Sequence, residues 1–192
     1  MKALAKQLAR LVAKILVFPH ACISGFGRWH EPYLFFANTM ALIPGILGSY
    51  LRVAYYGLTL DQVGPGCHIA FGTYFAHSKS SLGARVGIGP YCVLGHVDIG
   101  EGTLLAARVQ ILSGTRQHVR DTAGHLTDEG RTFRRISIGP HCWIGAGAIV
   151  MADLGEKVTV GPNSVVQSDV PAGGNVSGNP ARNFAKLVKP AS

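Results

Sequence analysis

Two different apolar periods divide the chain. In the first sixty residues Leu4, Leu8, Leu11, Val12, Ile15 and Leu16 recur at helical spacing, and Lys2, Lys6, Arg10 and Lys14 recur every fourth residue beside them. This pattern predicts a basic amphipathic helix. Such a helix lies in a membrane interface, or packs on the rest of the protein or on another subunit. Lysine and arginine continue into the apolar stretch and no small-residue cleavage site follows, which argues against a signal peptide. From Pro32 to Leu51 no residue is charged, a length that nominally spans a bilayer. Asn38, Thr39, Pro44, Gly45 and Gly48 interrupt it, so two short apolar helices are expected, docked on a membrane or in an oligomer interface.

From residue 61 the helical period gives way to a period of six. The markers are Val63, Ile69, Phe75, Leu82, Ile88, Leu94, Ile99, Leu105 and Ile111; after a gap come Ile138, Ile144, Val150, Leu154, Val160 and Val166. Glycine or alanine follows the marker directly in twelve of fifteen cases. Four residues after the marker stands a small or β-branched residue in twelve of fifteen, among them Cys67, Thr73, Cys92, Thr103, Cys142, Ala148 and Ser164. The expected fold is an all-β solenoid whose markers stack in a narrow triangular interior. The residue after each marker sits at or beside a corner, where positive φ or close backbone approach favours glycine. Fifteen markers make about five coils of three sixes each. The chain thus divides into an N-terminal helical segment (1–60), a parallel β-helix (61–171) with an inserted loop at 112–137, and a C-terminal basic tail (172–192).

Composition fits this reading. The 192 residues include 25 glycines, yet hydrophobic residues reach 47 % and charged ones only 15 %, which excludes a disordered Gly-rich linker. No Gly-X-Y period appears, so collagen is excluded as well. The four cysteines form no CxxC pair and three occupy the small inward slot, so they read as core thiols in a reducing compartment. The net charge of +8 suits a phosphorylated ligand or an acidic membrane surface, and the scattered basic residues argue against nucleic acid.

The segments Ile138-Gly-Pro-His-Cys-Trp-Ile-Gly-Ala-Gly-Ala-Ile149, Val160-Gly-Pro-Asn-Ser-Val-Val-Gln-Ser-Asp-Val-Pro171 and Gly178-Asn-Pro-Ala-Arg182 carry a resemblance. Residues 63–182 resemble the hexapeptide-repeat, left-handed parallel β-helix acyltransferases, in the branch that holds maltose, galactoside and polysaccharide O-acetyltransferases. The resemblance implies transfer of acetyl from acetyl-CoA to a hydroxyl of a sugar or glycan, with no metal. It also implies a homotrimer with active sites between subunits, and a histidine beside the inserted loop as general base. Neutral imidazole suits that task because its pKa is near 6.5.

His118 is the candidate base, although it stands two residues beyond the position where maltose-type enzymes carry their histidine, which here is Arg116. Asp121 and Glu129 are candidates to orient it, and His125 is its rival. His96, Arg116, Glu129 and Trp143 are expected to bind the acceptor. Trp143, Ala146, Pro162, Gln167, Arg182 and Lys186 are expected along the acetyl-CoA groove, the Ala146 N–H as a donor to the thioester region. Gln167 replaces a common threonine of that family. His68 and His77 read as structural or acceptor-rim residues, and His141 as a solvent-facing turn residue. The basic N-terminus points to a cytoplasmic protein, peripheral on the inner face of the cytoplasmic membrane, with a lipid-linked surface-polysaccharide intermediate as acceptor. Two other functions are compatible with the repeat: a γ-type zinc carbonic anhydrase, with ligands drawn from His96, His118, His125 and His141, and a non-catalytic β-helix scaffold.

Overall fold

The computed structural model describes residues 2–114, 119–127 and 133–183. Three helices precede the repeats: α1 (Lys2–Ile23), α2 (His30–Ala41) and α3 (Gly45–Thr59). The uncharged stretch 32–51 breaks at Pro44-Gly45, where Gly45 takes φ +72° and Pro44 caps α3 in an extended conformation. No helix among the described residues is long and apolar enough to cross a membrane.

Very short strands follow and stack into three parallel sheets. One sheet aligns Val63, Leu82, Ile99 and Ile138, and single bridges continue the column to Leu154 and Val170. A second aligns Ile69, Ile88, Leu105, Ile144, Val160 and Val176. A third aligns Phe75, Leu94, Ile111, Val150 and Val166. The result is a left-handed parallel β-helix of five coils, with Val170 and Val176 beginning a sixth. Fourteen of the fifteen markers are at most 3 % exposed. Val63, at the end covered by the helices, is partly buried.

The glycines after the markers serve close approach rather than positive φ. A Cβ on Gly100 would lie 2.4 Å from the Pro140 nitrogen, and one on Gly145 2.5 Å from that of Pro162. Positive φ falls two residues later, on eleven corner residues that include Gly66, Arg85, Tyr91, His141 and Asn163. Between these two positions the corner N–H has no backbone acceptor among the described residues. Pro65, Pro90, Pro140 and Pro162 occur there because their missing donor costs nothing.

The inward small residues tie one coil to the next. Thr73 Oγ1 donates to Gly89 O at 2.7 Å and accepts the Cys92 N–H at 3.0 Å; Thr103 does the same with Gly139 and Cys142. The thiols of Cys67, Cys92 and Cys142 donate to carbonyls of the following coil at 3.0–3.2 Å, and burial pushes all three up in pKa. They are core thiols, as their slot predicts.

Helix α3 closes the first coil. Arg52 is fully buried, and its guanidinium donates to Ile69 O in that coil, to Met40 O in the last turn of α2 and to Ile43 O just beyond it. Tyr33 packs on Tyr55, Tyr55 on Tyr56 and Tyr56 on Phe75, so an aromatic row runs from the helices into the first coil. Helix α1 lies on α3 through Ala13, Val17 and Ala21, each at most 1 % exposed.

Candidate active site

Two corners of the prism are tight and repetitive; the third, after the Phe75–Val166 column, is not. Ala76–Ser80, Gly95-His96, the long insertion, and the segments before Asp153 and Asp169 all leave the fold along this edge. The insertion departs at Ser113-Gly114 and returns through Phe133–Arg135. Its ends are joined: the Arg134 N–H donates to Ser113 O at 2.9 Å, and the Ile136 N–H donates to His96 O at 2.9 Å. The buried Ser113 hydroxyl accepts the His96 N–H at 2.9 Å. Gly95 permits this approach, because a Cβ there would lie 2.4 Å from Ser113 Oγ.

Charge fastens the returning strand. Arg135 bridges Asp61 at 2.7 Å and Asp98 at 3.2 Å, and donates to Lys79 O at 3.0 Å. Arg134 pairs with Asp153 and stands 3.6 Å from Asp169. Pairs this exposed contribute little singly, but four carboxylates on two adjacent arginines fix the register of the loop's exit.

Three histidines and a phenylalanine meet on this edge. The His77 and His96 rings contact at 4.3 Å between centroids, His30 of α2 stacks on His77 at 5.7 Å, and Phe133 of the returning loop lies 5.2 Å from His77. Burial first, then the neighbouring His96 and His30, push the His77 pKa down to about 4. His96 is lowered too, by burial and by Arg135, with Asp61 opposing. Both are therefore neutral near pH 7, each offering one ring donor and one acceptor. Their facing positions were available in the sequence, since each stands two residues after a marker of the same column. His30 and Phe133 were not, because no repeat register connects a helix or an insertion to that edge.

Other predicted positions are elsewhere. Ala146 and Pro162 share a depression of about 410 Å³ at the next corner with Arg108, Gln110, Gly147 and Asn163. The Ala146 N–H meets no acceptor among the described residues. It occupies the corner position that prolines fill in other coils, and it retains a donor there. Trp143 is on an outer face, 45 % exposed, with its strand paired to Leu104 and Thr159. Gln167 and Arg182 line a separate hollow of about 200 Å³ at the C-terminal end. Within one chain, then, Ala146 joins Pro162 and Gln167 joins Arg182, whereas Trp143 and His96 occupy different faces.

His118, Arg116, Glu129 and Lys186 lie outside the described residues. The rival base His125 is described: it sits in the turn of a small hairpin, Val119–Arg120 with Leu126–Thr127. Asp121 accepts the N–H groups of Ala123 and His125 at 2.9 Å each and stands 3.5 Å from the His125 ring, so this carboxylate is committed to its own turn. His68 accepts or donates a 2.9 Å bond with Ser49 of α3, and His141 is an exposed corner residue at φ +57°. Among the described residues, no three histidine, cysteine or carboxylate side chains converge as metal ligands.

No protein-family model matches the chain. It is 36 % identical over 129 residues to Nodulation protein L of Rhizobium meliloti (strain 1021), covering 64 % of this chain and 69 % of that protein. With Nodulation protein L of Rhizobium leguminosarum bv. viciae it shares 40 % over 106 residues, covering 53 % of this chain and 54 % of the relative. The fold superposes on a maltose O-acetyltransferase from Clostridium difficile 630 with a TM-score of 0.69 at 21 % identity, over 83 % of this chain and 87 % of that one. On AntD, an N-acyltransferase from Bacillus cereus in complex with dTDP and 3-hydroxybutyryl-CoA, the TM-score is 0.53 at 17 % identity, over 64 % and 70 %. Repeat register, inserted loop and relatives agree: the chain belongs to the hexapeptide-repeat left-handed β-helix acyltransferases, and it is an acyl-transferring enzyme.

Proposed function

We propose that the protein moves an acetyl group from acetyl-CoA to a hydroxyl of a sugar or glycan, and that it does so as a homotrimer with the site between subunits. The observation that carries the reading is the inserted loop, rooted at His96 and flanked by neutral imidazoles, on the scaffold of this acyltransferase family. Supporting the donor half, the unpaired Ala146 N–H and the Arg108 cation line one depression, which suits an amide-bearing arm with an anionic end. The solved AntD complex holds an acyl-CoA on the same fold.

In this mechanism His118 accepts the proton of the acceptor hydroxyl as its oxygen attacks the thioester carbonyl. The Ala146 N–H donates to the oxyanion, and the proton on His118 passes to the departing CoA sulfur. Arg116 and Glu129 contact the acceptor together with His96, on whose edge His77 and Phe133 form an aromatic wall. Trp143, Pro162 and Gln167 line the donor groove, and Arg182 and Lys186 meet its phosphates. Trp143 reaches the acceptor edge from the neighbouring subunit, which accounts for its separation from His96 within one chain. The acceptor is membrane-proximal, a lipid-linked intermediate of surface-polysaccharide synthesis, and the enzyme works at the inner face of the cytoplasmic membrane.

The test is incubation with acetyl-CoA and a panel of sugars and lipid-linked oligosaccharides, following thiol release and acetylated product by mass spectrometry. His118→Ala is expected to lower kcat by roughly 10²–10⁴. A loss below about tenfold, with His125→Ala worse, moves the base to His125. Absence of acetyl-CoA binding by calorimetry would return the chain to a scaffold role.

A further inference from the structure

Helix α1 presents its bulky side outward. The residues it buries are small or slender, Ala13, Val17 and Ala21 against α3, while Leu8, Leu11, Val12, Ile15, Leu16 and Phe18 remain 46–64 % exposed. At 3.6 residues per turn these six cover an arc of about 160° on one side of the helix. Phe18 packs edge-on against Phe26 at 6.1 Å, which carries the apolar surface into the turn after the helix. A contiguous exposed arc of this kind marks an interaction site rather than ordinary surface.

Charge selects the occupant. Helix α1 contains no acidic residue, and Glu31 is the single carboxylate side chain in the first sixty positions. Lys6, Arg10 and Lys14 stand on the far side of α1 from the apolar arc, interleaved with Ala13, Val17 and Ala21, and line an open groove of about 410 Å³ with Ile46 and Tyr50. A second copy of this chain would bring the same basic row and its own net charge of +8 to the contact. An anionic surface gains where a second copy is repelled. When an interfacial helix sinks its apolar face about 5–10 Å into the headgroup boundary, its axis sits among the headgroups, and cations on its far side remain within roughly a Debye length of the lipid phosphates.

We propose that the outer arc of α1 docks on an anionic phospholipid bilayer, with Leu11 and Ile15 at its centre and with Lys6, Arg10 and Lys14, on the far side of the helix, adding long-range attraction to the anionic surface. The inference deepens the membrane-contact reading above and names the surface that makes the contact. Docked this way, the helical cap holds the first coil, and with it the His77–His96 edge, beside the membrane where a lipid-linked acceptor is available.

The experiment is flotation of the full chain with vesicles of phosphatidylglycerol and phosphatidylcholine, and with phosphatidylcholine alone. Binding is expected to the anionic vesicles, weakened by salt, and reduced at least tenfold by L11D/I15D. K6Q/R10Q/K14Q is expected to lose the preference for anionic lipid. Both variants alter exposed side chains, and circular dichroism checks that they fold. Cys22, the one exposed cysteine, lies on α1, so a polarity-sensitive fluorophore on it should shift to the blue with anionic vesicles. Failure of the wild-type chain to float overturns the proposal. So does an unshifted label together with smaller assemblies of L11D/I15D in solution, which gives the arc to a second copy. Vesicle binding requires neither donor nor acceptor, so its failure leaves the acetyl-transfer reading standing, and loss of acetyl transfer leaves the docking face standing.

Discussion

Ser113 receives the His96 N–H on its side chain and the Arg134 N–H on its carbonyl, both at 2.9 Å, so one buried serine joins the His77–His96 edge to both ends of the inserted loop. Ser113 as a whole is 2 % exposed. Ser113→Ala leaves the part-buried His96 N–H without its acceptor, which costs about 1–3 kcal/mol. The expected result is a lower urea midpoint at unchanged m-value, with a raised KM for the acceptor. An unchanged midpoint would show that His96 holds its position without the serine.

Acid should weaken the fold through the histidine edge. His77 faces His30 of α2, His96 of the next coil and Phe133 of the loop, and its pKa falls to about 4 in the folded chain. In the unfolded chain it returns to about 6.5. Between these values the unfolded state binds more protons, so stability is full above pH 6.5 and declines as pH falls toward 4. One proton gives a slope of at most about 1.4 kcal/mol per pH unit, roughly half that after solvent screening of a partly open ring. Thermal midpoints at pH 7 and pH 5 should differ more in the wild type than in His77→Gln. Equal differences would place the acid sensitivity elsewhere.

The corner glycines divide into two classes that substitution should separate. At Gly100 the backbone is unstrained but a Cβ would lie 2.4 Å from the Pro140 nitrogen, and no side chain can move aside. Gly100→Ala is expected to cost about 3 kcal/mol or more, beyond ordinary overpacking. At Gly173 nothing lies within 4 Å and only φ +71° is unfavourable, so Gly173→Ala should cost about 1–2 kcal/mol. Chemical denaturation of both variants decides the order, and the reverse order would contradict the close-approach account.

The β-helix was legible because one coil repeats its demands on the next: an aliphatic residue inside, room for a neighbouring backbone at the next position, a small donor at the inward slot. Fifteen markers repeat that message, so single exceptions such as Phe75 do not obscure it. The period also located the insertion, since the break after Ile111 falls where the edge opens. Contacts between segments of different register were not legible. Arg135 reaching Asp61 and Asp98, and His30 stacking on His77, depend on how a loop and a helix return to the edge. The outward arc of α1 was half legible: an amphipathic pattern defines two faces, but only the packing of Ala13, Val17 and Ala21 shows that the bulky face is the outer one.

Arg52 offers the sharpest test of how the helical cap is held. It is fully buried with no carboxylate partner among the described residues; instead Nε donates to Ile69 O at 3.0 Å, and Nη1 donates to Met40 O at 2.9 Å and Ile43 O at 2.8 Å. These carbonyls belong to the first coil, to the last turn of α2 and to the turn between α2 and α3, so a single planar group ties three segments together. Gly48 lets the turn close over it, since a Cβ there would stand 1.8 Å from Ile43 O. Burial lowers the Arg52 pKa, and Tyr56 opposes the shift, so the cation persists on carbonyl dipoles. Arg52→Met abandons those acceptors and is expected to cost about 3–5 kcal/mol. Arg52→Lys keeps the charge but loses the fork that spans two directions, and should recover less than half of that loss. Thermal unfolding measures both, and limited proteolysis around residues 42–45 reports whether the α2–α3 turn is released first. A lysine variant as stable as wild type would mean that charge alone, and not the guanidinium geometry, fastens the cap to the β-helix.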